Sequence, residues 1–262
     1  MMHTHMNHTG FAALEVVVAI IAATALFLYP LAMFISNGKH SKWKASRYIW
    51  WFLGIILAAS ALIGPLAERS HYDFNAHMAG HLLLGMLAPL LIVFSRPMTL
   101  LMRTLPNQSA KRVSRLLNSR YVTLLTRPIV AATLNIGGLY LIYMTELFTL
   151  MHMSSWLYAL VHLHVFLAGY LFTISILYID MTTHRYSFLH RGIVLILALG
   201  FHKVLSKLIY ASPPEGIPET EGETGAMLMY YGGDIIDLMM IIILCYQWYR
   251  STAPRTGKAR PA

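Results

Sequence analysis

The sequence predicts an all-α protein, a polytopic bundle that crosses a membrane seven times with its N-terminus outside and its C-terminus in the cytoplasm. Three observations carry that reading. Hydrophobic residues are 57% of the 262 and charged residues only 12%, whereas about a quarter of a soluble domain is charged. Apolar runs of about 20 residues recur along the whole length, each able to span roughly 30 Å of hydrocarbon. Basic residues fall almost entirely in alternate connections. Runs this long satisfy their backbone polar groups in lipid only as helices.

The spans follow in order. The first, 11–35, is apolar apart from Glu15, and the connection after it holds Lys39, Lys42, Lys44 and Arg47. The second, 46–66, leads to a loop with Arg69 as its only Arg or Lys. The third, 76–96, is followed by a long connection, 97–127; with Arg96 at its border, the stretch to Arg127 holds seven basic residues. The fourth and fifth are 128–148 and 155–179. Arg185 and Arg191 precede or open the sixth, 189–211. Between the sixth and the seventh, 226–249, lies ASPPEGIPETEGETGA, read as a flexible acidic outer loop. Seventeen basic residues thus face one side and one faces the other, which sets the N-out orientation. The net charge of +9 therefore reports membrane topology and not nucleic-acid binding. A multi-pass protein of the cell membrane is expected, forming one domain.

Within 97–127, Val113, Leu116, Leu117, Tyr121, Leu124 and Leu125 recur at helical spacing between basic residues. Two readings stand open: an amphipathic helix on the cytoplasmic leaflet, or a solvated basic connector. The start, MMHTHMNHTG, lacks the basic region of a cleavable leader. The odd number of spans and the absence of an internal repeat argue against two inverted halves. Cys245 is the only cysteine, so neither a disulfide within the chain nor a thiolate cluster can form, and a metal would fall to His, Met, Asp or Glu.

Ionisable groups inside a membrane are costly and read as functional. His77 and His81, at i and i+4, lie on one face of span three, with Met78 nearby. The His-x-x-x-His pair presents two nitrogens to one ion, but no Glu follows the first histidine, so a metalloprotease is excluded. His162 and His202 enter their spans at a similar depth by a rise of about 1.5 Å per residue. The expectation is that His77, His81, His162 and His202 converge on one pocket. Asp234, Asp237 and Lys203 are expected beside them as second-layer groups or a proton relay, the alternative being structural hydrogen bonds between helices. Lys207 is i+4 from Lys203 and either pairs with those carboxylates or snorkels outward. His164 projects the other way and reads as a packing residue, and Glu15 and Glu146 as interface residues. Outside the membrane, His3, His5, Met6 and His8 in the N-terminal tail, and Met151, His152 and Met153 after span four, form a Met/His-rich surface. Such ligands suit Cu(I) collection, although biased tail composition alone accounts for the first group equally well.

Three stretches resemble a known family. HMAGHLLLGMLAPLLIVFSRP in span three resembles its His-Met-x-x-His run ending in proline. VHLHVFLAGYLF aligns on His162, Phe166, Gly169 and Phe172, and TGAMLMYYGG resembles the family's entry to its last span. The family is the seven-helix CtaG type of cytochrome c oxidase assembly factor. The resemblance implies a non-enzymatic role in maturing haem–copper oxidase, with copper, as Cu(I), delivered to the binuclear centre. It implies an oxidase subunit and an extracytoplasmic copper chaperone as partners, and it matches His77, His81, His162 and His202 to family histidines. The chain departs after span five: a Trp-x-Pro and an Asp-Pro are expected, and LFTISILYIDMTT keeps only Asp180. Two other classes stay open on the residues alone. One is an integral b-type haem protein and the other an ion or proton transporter. A retinal receptor is disfavoured because span seven has no lysine.

Overall fold

The computed structural model describes residues 2–182 and 184–253, with side chains from residue 10 onward. The described residues are helical throughout, with no strand. Helix α1 is Met2–Lys39 and α2 is Ala45–Ser60. A short α3, Pro65–Ser70, precedes α4, Phe74–Leu82, which continues through a π-helical turn, Leu83–Leu87, into α5, Ala88–Ser95. Then come α6 Pro97–Thr104, α7 Asn107–Leu117, α8 Arg120–Leu125, α9 Pro128–Tyr143 and α10 Leu147–Met153. The last three are α11 Ser155–Ile176, α12 Phe188–Ala211 and α13 Glu219–Thr252.

Five helices are long and apolar enough to cross a membrane, and α9 with α10 makes a sixth if that pair, bent by 78°, is one span. The remaining predicted span is α2, only 16 residues long. At 1.5 Å per residue it covers about 24 Å, less than an ordinary hydrocarbon core. The expected seven spans are therefore five, a bent sixth and one short apolar helix. Span two ends early because Gly64 turns the chain at φ +82° and Pro65 opens a new helix.

Span three is the centre of the bundle. Two-thirds of its most apolar window is buried, against none of that of α1. Asp73 starts it by accepting from the backbone N–H of Asn75 at 2.9 Å and Ala76 at 3.3 Å, a cap worth about 1 kcal/mol. Pro89 supplies no N–H, so the ladder before it cannot close in the ordinary way, and the chain passes through the π turn there. The Gly85 carbonyl in that turn lies against Gly169 of α11, where a Cβ would collide with it. Close backbone contact of this kind explains the glycine.

The two ends of the bundle differ in charge. At one end Arg103 donates to the Ser41 carbonyl at 2.6 Å, and both Arg47 and Arg103 sit over the Trp43 ring. Asp180, buried at this end, accepts from Met98 N–H at 2.8 Å and Thr99 N–H at 2.9 Å. It thereby caps α6 from another part of the chain. The cap is needed because Arg96, before α6, takes the left-handed conformation and offers no side-chain cap. At the other end α3, α10 and the 212–218 connection meet. The acidic segment is a shorter loop than expected, since α13 already begins at Glu219 and its Gly222 packs on Pro213. The 97–127 connection is three short helices and not one, with Leu116, Tyr121, Leu124 and Leu125 exposed among the basic residues.

Replacing Gly169 with Ala is expected to destabilise the protein by about 1–3 kcal/mol, the cost of overpacking, whereas Gly192→Ala, with open space around it, leaves thermal unfolding in detergent unchanged or raised. Asp180→Ala strips three backbone N–H groups, those of Met98, Thr99 and Met181, of their acceptor, and a loss of about 1–2 kcal/mol is expected in the same measurement.

Candidate functional site

The imidazoles of spans three, five and six meet inside the bundle, but in file and not around one point. His77 and His81 are both buried. The His77 Nε2 is 3.1 Å from the Tyr143 hydroxyl. Its ring centroid lies 6.3 Å from that of His162 and 5.8 Å from that of His152. The His81 ring is 6.2 Å from that of His202. Among the described residues no three His, Cys, Asp or Glu side chains group closely enough to hold one metal ion. The predicted single pocket is corrected accordingly: the rings line two small cavities of about 20 Å³ each, with His81 bordering both. The outer one is lined by His77, His81, His162, Tyr143 and Met151 among apolar residues. The inner one is lined by His81, His202, Asn135, Asp237 and Met240 among others. Each is large enough for one water or ion and no more.

Hydrogen bonds fix the chemistry of several rings. A carbonyl only accepts, so the Nδ1 of His162, 2.8 Å from the Tyr158 carbonyl, carries the proton, and Nε2 keeps its lone pair. The same holds for His152, whose Nδ1–H donates to the Phe148 carbonyl at 2.8 Å. Tyr158 stacks on His162 at 3.9 Å, further fixing that ring. The Nε2 atoms of both His81 and His202 are buried without a hydrogen-bond partner. An unpaired buried polar atom costs roughly 1–3 kcal/mol, and here two fall in neighbouring rings. Gly233 leaves room beside His202, since a Cβ there would come within 2.8 Å of the ring.

Several predicted residues lie elsewhere. Met78, one position after His77 and so turned about 100° around the helix, packs against Gly225 of α13, away from both cavities. Lys203 and Asp234 pair at 2.8 Å with both side chains more than a third exposed, outside the polar core expected of them; Asp237 is the one carboxylate of that group that enters it. Met151, assigned to an outer collecting surface, is fully buried in the outer cavity because the bend after Tyr143 turns α10 inward. His152 is half-buried and Met153 exposed. The side chains of His3, His5, Met6 and His8 lie outside the described residues. His164 does pack as expected, donating from Nε2 to the Leu134 carbonyl at 3.1 Å across Gly138.

Sequence reasoning missed Tyr143, Asn135, Met240 and His71. Asn135 was findable, as an amide within an apolar span. Tyr143 and Met240 carry no spacing signal. His71 lies outside the spans, exposed, with its ring 6.0 Å from that of His152. Partial loss of solvent, and then the neighbouring His152, hold its pKa below the ordinary histidine range.

Two curated proteins are similar in sequence. A protein of Mycobacterium bovis, described as uncharacterized, is 32% identical over 173 residues, 63% of this chain and 26% of that protein. One of Mycobacterium leprae, also described as uncharacterized, is 25% identical over 256 residues, 88% of this chain and 39% of that protein. The chain thus spans well under half the length of these curated relatives. No solved structure matches it. The family model described as cytochrome c oxidase caa3 assembly factor matches residues 25–251, nearly the whole bundle. This multi-pass membrane protein belongs to the caa3-type cytochrome c oxidase assembly factor family.

Proposed function

We propose that the protein assists maturation of a haem–copper oxidase by holding copper, as Cu(I), on its buried imidazoles and passing it to an oxidase subunit. Copper is cargo here and not a resident cofactor, and the protein performs no turnover of its own. The observation that carries this reading is the pair of buried, unpartnered Nε2 atoms on His81 and His202, one step from His77, His162 and Met151. Neutral imidazole and thioether are ligands for Cu(I). Zinc in structural sites takes four ligands, and the described residues offer no such cluster. Two-coordinate binding suits a carrier that must release its ion. Metal–nitrogen bonds of about 2 Å put two opposed nitrogens about 4 Å apart and the ring centroids roughly 6 Å apart, close to the 6.2 Å between His81 and His202. By the positive-inside rule the basic end faces the cytoplasm and the histidine end faces outward, towards an extracytoplasmic copper donor. The b-type haem alternative gains no support, because cavities of about 20 Å³ beside these histidines fall far below the roughly 300–1,000 Å³ of organic cofactor sites.

Anaerobic titration of the purified protein with Cu(I), against a chromophoric competitor, tests the assignment. The unmodified protein is expected to bind copper, and His81→Ala and His202→Ala are each expected to weaken binding at least tenfold. Binding indifferent to both substitutions removes the site. A second expectation concerns the metal-free protein. His202→Leu deletes an unpaired buried nitrogen, so its melting temperature stays level or rises, whereas Tyr143→Phe strands the His77 Nε2 and lowers it, by roughly 1–3 kcal/mol of stability.

A further inference from the structure

A cavity of about 470 Å³ opens at the histidine end, between α3, the start of α4, α10 and the 212–218 connection. Its lining includes His71, His152, Met153, Asp73, Glu215 and Glu221. It thus gathers three of the eleven acidic residues of a chain whose net charge is +9. Through His152 its lining comes within one ring of the buried file. His71 is exposed, His152 half-buried and His77 buried. Their ring centroids step inward at 6.0 Å and then 5.8 Å. Phe148 flanks both inner rings, tilted against His152 at 4.7 Å and edge-on to His77 at 5.1 Å, and Phe74 stacks on His77. The step out of the vestibule is thus lined by apolar rings. One ring further inside are the unpartnered Nε2 atoms.

Each feature of the vestibule serves a cation that must lose its water in stages. Carboxylates around a concave mouth raise the local concentration of cations and the rate of encounter, by about 10- to 1,000-fold in steered systems. Glu215 is exposed and free to act in this way. Glu221 and Asp73 are partly committed, Glu221 to the Phe74 N–H at 3.4 Å and Asp73 to the cap of α4. The His152 Nδ1–H is held by the Phe148 carbonyl, which leaves Nε2 as the ring's only lone pair. Met153, exposed beside it, adds a thioether. Imidazole and thioether favour a soft metal ion over the calcium or magnesium that carboxylates alone would draw.

We propose that this vestibule is the loading port for a soft monovalent metal cation, and that His71 and His152 are the first two imidazoles to carry it to His77. The inference rests on the copper-holding reading above, but concerns the route and not the destination. It is tested by the rate at which the full-length protein in detergent takes Cu(I) from a weak chromophoric complex at low salt. Glu215→Gln and His71→Asn each slow uptake about tenfold yet reach the end point of the unmodified protein, and added salt narrows the difference for Glu215→Gln. Glu219→Gln, outside the cavity, takes up copper at the unmodified rate. Both port residues are exposed, and a melting curve beside each rate confirms that the fold is intact. Unchanged rates in both variants, with copper still bound at the end point, overturn the port while leaving the buried site standing. Failure of the unmodified protein to bind Cu(I) at all overturns both.

Discussion

Span three runs through the middle of the bundle, and its course depends on how closely Gly85 approaches α11. The π turn carries the Gly85 carbonyl outward, and the missing side chain at Gly169 lets α11 come against it. This contact fixes the rotation of everything before the turn. His77 and His81 lie on that outer half, so their facing towards α9, α11 and α12 is inherited from one backbone contact. A straight α-helix of the same sequence would turn the two halves of span three differently. The histidines and the packing of α5 against α2 are thus set together.

Placing imidazoles in the interior without partners is expensive, and the fold offsets that cost unevenly. His77 has Tyr143; His152 and His162 each use a carbonyl one turn earlier in their own helix; His164 reaches α9. Among the described residues, only His81 and His202 retain bare buried Nε2 atoms. That contrast is more informative than the number of histidines. At His164 the fold does supply a carbonyl acceptor, from Leu134 of the neighbouring helix.

Hydropathy and loop charge made the spans legible, because both are summed over many residues and survive local error. The short α2 and the bend after Tyr143 were not legible, since a glycine at φ +82° and a turn of 78° alter helix length and direction without changing composition. That bend is why Met151 entered the core although it reads as part of an outer surface. Rise per residue gives position along a span but says nothing of rotation about its axis. Asp234 and Asp237, three residues apart, illustrate the limit: one faces outward with Lys203 and the other borders the inner cavity. Asp180 shows the reverse: the sequence singled it out only against an expected motif, and the structure gives it a physical role as the cap of α6.

The pinned Nδ1–H groups of His152 and His162 have a kinetic meaning as well as a tautomeric one. A free histidine loses torsional freedom when it coordinates an ion, and immobilising a side chain costs about 0.5–1.5 kcal/mol. In these two rings the loss has already occurred during folding, and stacking on Tyr158 restrains one of them further. Arrival and departure of a ligand then require no change of rotamer. For the ion proposed above, such rings would be stationary rungs, holding it without the helices having to rearrange.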